Sequence, residues 1–383
     1  MYIPFHKPLI GEDEKREIMD ALDKGWITMG KKTMEFEKNF REYIGAGNAI
    51  AVNSCTAALH LALRVIGLEE GDEVLVPAVT FVATAEVVNY FRAKPVFVDV
   101  DPNTGLIDIK DLEKKITDKT KVIIPVHYSG QPCDMDEILE IARERNLLVI
   151  EDAAHALPAW YRGKKVGTIG DITAFSFYAT KTLATGEGGM ATTENENWAE
   201  KMRILRLHGI SKDAWKRYTK EGSWEYDVLD NGYKYNMTDL NAALGLAQLR
   251  KLEEMWQKRV SIAEKYSEAF SQLEVLIPYP VKSDRVSSWH LYPLRLNLNT
   301  LSIDRNRFIE ELKRRGISVS VHFIPLYRFS YYRKYLGDVS SAFPGSEEFF
   351  QSEISLPIYP SMTDEEVSYV IDNVISIAKE NMR

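Results

Sequence analysis

The chain has little with which to cross-link itself: two cysteines, Cys55 and Cys133, among 383 residues. A disulfide framework is excluded on that count, and a reducing, cytoplasmic setting is expected. No apolar run is long enough to span a bilayer. The N-terminus, MYIPFHKPLIGEDEKREI, turns acidic where a secretion signal needs its apolar stretch. Membrane insertion is therefore not expected. A basic surplus is also lacking, since the formal net charge is -8, opposite in sign to a general nucleic-acid binder. An acidic total still allows positive loops around a small anion. No G-x-G-x-x-G follows an expected strand, which removes the main support for a nicotinamide or flavin enzyme. Repeats and low-complexity segments are absent. The triplet Asn236-Met237-Thr238 has no secretion signal beside it and reads as a chance glycosylation match.

What is present is the composition of a soluble globular protein, 45% hydrophobic and 27% charged, at a length that suggests two domains. From about residue 48 to 193, β-branched runs alternate with helical patterns. NAIAV (48–52), EVLVP (73–77), KPVFVDV (94–100), VIIPVHY (122–128), LLVIED (147–152) and ITAFSFY (172–178) read as strands. They are nearly continuous apolar runs, as expected for a sheet covered on both faces. Strand–helix–strand order predicts an α/β layer with a mainly parallel sheet, and ligands collect at the carboxyl ends of such strands. After Gly232 a long helical stretch over 237–272 is expected as a connector. Strand-like 287–298, helical 305–316, strand-like 317–323 and a closing amphipathic helix then suggest a smaller α+β domain. The expected division is 1–250 and 251–383.

Three stretches carry chemistry. In AVNSCTAALHLAL a strand gives way to a helix start with small residues, which offers free amides to a phosphate; Ser54 or Thr56 could equally be a simple N-cap. In VIEDAAHA, Glu151 and Asp152 end an apolar strand, with His155 three residues on. An acid there is placed for a ligand, or caps the next helix. A metal site is not expected, because no second cluster of His or acid residues has ligand spacing. In FSFYATKTLATGEGGMATT, Lys181 interrupts two core segments. Most lysines are solvated, but a desolvated one has a lowered pKa and a free amine that can attack a carbonyl. Together, a phosphate cradle, an acid and a lysine are the equipment for pyridoxal 5'-phosphate (PLP).

GWITMGKKTMEFEKNF, NSCTAALHLAL, VIIPVHYSGQPCDMDEI, VIEDAAHA, FSFYATKTLATGEGG, GYKYNMTDLNAALGLAQL, WHLYPLRL and SLPIYPSMT resemble, in order and over essentially the whole chain, the nucleotide-sugar aminotransferases of the DegT/DnrJ/StrS family. The resemblance implies an aspartate aminotransferase-like fold (fold type I) and a homodimer with its active sites at the interface. It implies that Lys181 holds PLP through a Schiff base and then shuttles a proton, that Asp152 pairs with the pyridine nitrogen, and that His155 lies beside the ring. It implies that Phe81 stacks on the ring, otherwise being a core Phe. Thr56, the Ala57 amide and Ser176 would hold the phosphate, and Asn236 would reach the phosphate of the neighbouring subunit. The glycines of GEGG would let the chain turn toward the cofactor.

Two positions depart from the family pattern: Tyr178 stands where many relatives carry His, and GYKYN where many read GYNYR. The GYKYN form resembles enzymes that aminate UDP-4-keto sugars, notably UDP-4-keto-pentose for 4-amino-4-deoxy-L-arabinose, which serves cell-surface polysaccharide. A lysine at 181 speaks against the 3-dehydratase branch, which has histidine there. Thr28, in the loop with Trp26 and Gly30, and His322 are substrate-side candidates, although a His within a strand is more often structural. Arg203, Arg206 and His208 could meet a diphosphate, otherwise being an ordinary basic helix face. The expected reaction moves an amino group from L-glutamate to a keto carbon, C4, of a UDP-linked sugar. Alternatives are a dTDP-linked or C3-keto sugar, or a PLP-binding regulator without turnover.

Overall fold

The computed structural model describes residues 1–211 and 225–383. All six expected strands form, joined by a seventh from GGMATT. They are β1 (Asn48–Val52), β2 (Glu73–Pro77), β3 (Lys94–Val98), β4 (Thr120–Ile123) and β5 (Leu148–Asp152), then, past the short β6 (Trp160–Tyr161) and β7 (Lys164–Lys165), β8 (Ile172–Ser176) and β9 (Gly189–Thr193). The sheet order is β1-β9-β8-β5-β4-β2-β3. Pairing is parallel from β3 through β8, and β9 runs antiparallel to both β8 and β1. β4 stops short of the expected 122–128: Pro125 has no amide to donate, and beyond it the pairing is reduced to an isolated bridge between Val126 and Asp152.

Alternate residues of each strand enter opposite layers, as the pleat requires. Ile50, Val52, Val74, Val76 and Ile150 pack under α3 (Cys55–Ile66), α4 (Val82–Asn89) and α7 (Glu196–Leu205), while Leu75, Val98, Ile123 and Val149 pack under α5 (Ile109–Lys115) and α6 (Met135–Arg145). Ala49, Ala51, Phe175 and Met190 continue that second face beneath α2 (Lys31–Ile44) and α8 (Asp239–Arg250), and α1 (Glu12–Asp23) lies outside α8. With both faces covered, β1 and β2 are buried along their whole length.

The expected single helix over 237–272 is two, α8 and α9 (Leu252–Phe270), separated at Lys251, whose φ of -113° is not helical. The pattern of burial explains the break. α8 buries residues around most of its circumference, whereas α9 buries one stripe, Met255, Ile262, Tyr266 and Phe270. A second core gathers the later part of α9, β10 (Leu276–Pro278), β12 (Tyr292–Leu296) and β13 (Glu353–Leu356) as an antiparallel sheet, α10 (Arg305–Arg314) and α13 (Asp364–Glu380). β11 (Arg285–Val286) pairs instead with β6. The expected strand over 317–323 is reduced to isolated bridges, because its residues divide their pairing between two partners. Ile317 pairs with Ile3, and Ser320 with Ser355. The N-terminal segment is thereby tied to the second core, where Ile3 is fully buried. Among the described residues no helix is long and apolar enough to cross a membrane.

Candidate active site

The carboxyl ends of β1, β5 and β8 and the start of β9 lie along one edge of the sheet. There Val52 and Ser176 flank Gly189, and Asp152 pairs with Ala174. Above that edge is a cavity of about 340 Å³. Ser54, Thr56, Phe81, Asp152, His155, Ser176 and Lys181 line it from the large sheet, His290, His322 and Phe323 from the second body, and Phe5 and His6 from the N-terminal segment.

Lys181 reaches the cavity through a tight turn after β8. Its amide donates to the Tyr178 carbonyl at 2.8 Å, the Thr185 amide to the Phe177 carbonyl at 2.8 Å, and the Thr182 hydroxyl anchors on the Leu157 carbonyl. The ammonium nitrogen ends 3.4 Å from His290 Nε2. Burial lowers its pKa to about 8, against the opposing pull of Cys55 and Asp152. An appreciable fraction of free amine at neutral pH follows.

Successive residues of β5 separate the two acids. Glu151 points to the α6 side, where it accepts from His127 Nε2 at 2.8 Å, the Gly170 amide at 2.7 Å and Thr173 Oγ1 at 2.7 Å. Asp152 points to the cavity. Its Oδ2 accepts from Thr84 Oγ1 at 2.8 Å and its Oδ1 from the Ala154 amide at 3.1 Å. Burial raises the Asp152 carboxyl above the usual carboxylate range, so a cationic partner is what would restore its charge. His155 is held neutral by burial and by Lys181. Its Nδ1 accepts the Ser129 amide at 3.3 Å, which leaves the ring proton on Nε2.

At the start of α3, Ser54 is the N-cap, and its Oγ takes the Ala57 amide at 3.1 Å. The capping reading is thus what that amide does in this structure. Ala57 is buried beneath the cavity floor while Thr56 and Ser176 line it. The glycines of GEGG divide their work. Gly186, with φ +80°, makes the turn, whereas a Cβ on Gly189 would lie 2.5 Å from the Ser54 carbonyl. Gly189 is therefore required so that the chain can pass under the α3 start.

Phe81 is 58% exposed, with its ring 6.1 Å from that of Phe323. It is an open aromatic face and not a core Phe. Tyr178, 48% exposed, lines the cavity mouth. Within one chain, Asn236 and Thr28 are not brought to the cavity. Asn236 is buried beside the end of β1 with Lys234 Nζ 2.5 Å from its Oδ1, and Thr28 is exposed, its carbonyl accepting the Asp239 amide at 3.0 Å. Arg206 is a tie between α2 and β1, donating to Glu37 and to the Ala51 carbonyl. The sequence reading missed His290, Phe323, Phe5, His6 and Thr84. The WHLYP motif carried the signal for His290; a lone Phe or Thr carries none.

These groups fit PLP, which needs an amine for its aldehyde, an anion for its ring nitrogen and donors for its phosphate. Lys181, Asp152 and the α3 start with Ser176 meet those needs in one cavity. The comparisons agree. A family model described as the DegT/DnrJ/EryC1/StrS aminotransferase family matches residues 8–375. The chain is 55% identical over 380 residues to the uncharacterized protein MJ1066 of Methanocaldococcus jannaschii, covering 99% of this chain and 98% of that one. It is 48% identical over 379 residues to the spore coat polysaccharide biosynthesis protein SpsC of Bacillus subtilis, covering 99% and 97%. Among solved structures, the candidate sugar aminotransferase Spr1654 of Streptococcus pneumoniae superposes with a TM-score of 0.93 in its PMP form and 0.92 in its PLP form. Identities are 38% and 37%, and each match covers 99% of both chains. The chain belongs to the DegT/DnrJ/EryC1/StrS aminotransferase family and is a PLP-dependent enzyme.

Proposed function

We propose that the enzyme transfers an amino group from L-glutamate to the C4 keto carbon of a UDP-linked sugar destined for cell-surface polysaccharide. The observation that carries the transaminase reading is Lys181, a lysine with its pKa lowered to about 8, facing the same cavity as Asp152. The sugar reading is supported by the likeness to Spr1654 and to a polysaccharide-biosynthesis protein. The UDP and C4 preferences rest on the GYKYN motif alone.

When bound, PLP supplies the electrophilic carbon and the electron-withdrawing ring through which the amino group passes. The rest is done by side chains. Lys181 would hold the cofactor through its amine and, once free of it, would move a proton at the substrate carbon. Asp152, steadied by Thr84, would keep the pyridine nitrogen protonated. His155 would offer its Nε2 proton to the ring oxygen, Phe81 would cover the ring, and Thr56, Ser176 and the Ala57 amide would hold the phosphate. For the Ala57 amide to do so, Ser54 must yield it. Asn236 serves the neighbouring subunit of a homodimer, and Thr28 and His322 meet the substrate. The large domain is taken as 1–250 and the small one as 251–383, in a cytoplasmic protein.

The test is a panel of UDP- and dTDP-linked keto sugars, ketones at C3 and C4, offered to the pyridoxamine form. Return of the yellow absorbance with only a UDP-4-keto sugar is expected. Equal turnover of dTDP or C3-keto sugars selects the alternative substrates. A protein that takes up PLP yet stays unchanged by glutamate would be a regulator, and the reading would fall.

A further inference from the structure

Behind the cavity wall, a chain of hydrogen bonds runs from His322 into the second core. His322 Nδ1 is 2.8 Å from Ser355 Oγ, and Ser355 Oγ is 2.5 Å from Glu353 Oε1. The other carboxyl oxygen, Oε2, accepts the His322 backbone amide at 3.0 Å. Ser355 and Glu353 are fully buried on β13. Because Oε2 is already an acceptor, a proton taken up by this carboxyl belongs on Oε1, facing the serine.

A hydroxyl between two partners can donate to only one of them. With Glu353 ionised, Ser355 must donate to Oε1. Its lone pair then accepts the hydrogen bond from His322 Nδ1–H, and Nε2 carries no proton. With Glu353 protonated, Oε1–H donates to the serine, the serine donates to Nδ1, and the ring proton stands on Nε2. The balance is simple. One proton is taken up, on Glu353, while the neutral ring releases one at Nδ1 and accepts one at Nε2 from solvent. Nε2 is the ring nitrogen left over for a ligand, since Nδ1 is engaged and the ring lines the cavity.

We propose that Glu353 and Ser355 are positioning residues that decide which nitrogen of His322 carries its proton, and so whether His322 meets a bound oxygen as donor or as acceptor. As a donor it suits a keto oxygen or a carboxylate; as an acceptor it suits a sugar hydroxyl. The assignment of His322 to the substrate side rests on the function proposed above; the coupling to Glu353 does not.

The surroundings favour the protonated state at neutral pH. Burial raises the Glu353 carboxyl to about 8, with Ser355, the His322 amide, Arg305 and Tyr128 pulling the other way. Arg305 reaches only the Glu353 backbone carbonyl, at 3.1 Å. Arg295, opposite on β12, is occupied by Asn103, Ser352 and Glu348. His322 itself stays uncharged, held near 3 by burial and by Lys181. Its ring is stacked on Phe5, with centroids 5.6 Å apart, and edge-on to Phe323. Tautomer, and not charge, is the variable.

The experiment is long-range 15N–1H correlation on the PLP-loaded enzyme with 15N-labelled histidine, from pH 6 to 10, with His322 identified by its loss in His322→Asn. The expected result is an exchange of the pyrrole-like and pyridine-like positions of Nδ1 and Nε2, centred near pH 8. Glu353→Gln, whose amide can only donate to the serine, should lock the low-pH form throughout, and Ser355→Ala should abolish the exchange. A His322 tautomer constant in the unaltered enzyme, or an exchange that survives in Glu353→Gln, overturns the proposal, and the first outcome needs neither β13 variant to fold. The KM for the keto sugar separates the two readings. If His322→Asn leaves it unchanged, the substrate-side assignment fails even where the coupling is seen.

Discussion

Lys181 shares its cavity with four of the chain's seven histidines, His6, His155, His290 and His322. Burial lowers all four, His6 and His322 to about 3 and the other two well below 6.5. None therefore adds charge near pH 7, and among the described residues that line the cavity the lysine is the one cation. Attachment of added PLP to the cofactor-free protein should accelerate with pH through about 8, not near 10.4 where an ordinary lysine titrates; stopped-flow absorbance reads this directly. The same desolvation destabilises the empty protein. The folded-state pKa lies below the unfolded one, so between about 8 and 10.5 the unfolded chain holds the extra proton and stability rises with pH. Lys181→Met should remove that slope and add about 1–3 kcal/mol of stability at pH 7, measured by urea unfolding at pH 7 and 10. Asp152→Asn should lower kcat by about 100-fold or more, with PLP affinity changed far less. Lys181 and Asp152 were legible because a charge placed at the end of an apolar strand breaks the pattern of a core. His290 and Phe323 were not, since an apolar or imidazole side chain in a strand-like run reads as packing. Only tertiary proximity distinguishes them.

At the scale of elements, the GWITMG loop shows a structural role that its sequence alone does not disclose. Asp239, first residue of α8, receives the Gly30 amide at 2.7 Å, the Thr33 amide at 3.0 Å, Thr33 Oγ1 at 2.7 Å and the Lys32 amide at 3.2 Å. A side chain more than 200 residues away in sequence thus caps the start of α2, which no local reading of N-caps can supply. Gly30 is extended, not left-handed, and is glycine for space. A Cβ there would meet Trp26 Nε1 at 2.3 Å and Asp239 Oδ2 at 2.8 Å. Asp239→Ala should cost about 2–3 kcal/mol, seen as a lower urea midpoint, because four donors lose one buried acceptor. Six of the seven strands were legible through their unbroken apolar runs, apart from the end of β4; β9 was not, because GGMATT opens on two glycines and ends on two threonines. The division of 237–272 into α8 and α9 was not, since a helix buried all round and one buried on a stripe are both continuous helical text.

For the whole molecule, the cavity is walled by both ends of the chain. Ile3 accepts the Ser318 amide at 2.9 Å and donates to the Gly316 carbonyl at 2.8 Å, which seats Phe5 and His6 over Lys181. Glu14 strengthens the seat, accepting the Gly11 amide at 2.7 Å and pairing with Lys251 at 2.5 Å. Ile3→Asp should unseat the segment and weaken PLP binding by about tenfold, the equivalent of one or two lost apolar contacts. A fluorescence titration with PLP checks this; unchanged affinity would mean that the segment closes nothing.

The tie between Ile3 and Gly316 also sets an order of events during synthesis. While a nascent chain is still on the ribosome, the residues that seat its beginning and the wall that includes Ile358 have not emerged. Domains fold from the N-terminus as they appear, so the sheet and Lys181 can assemble early, but the lysine then faces bulk water and keeps its proton. The lowered pKa of Lys181 thus depends on groups drawn from early and late parts of the sequence together.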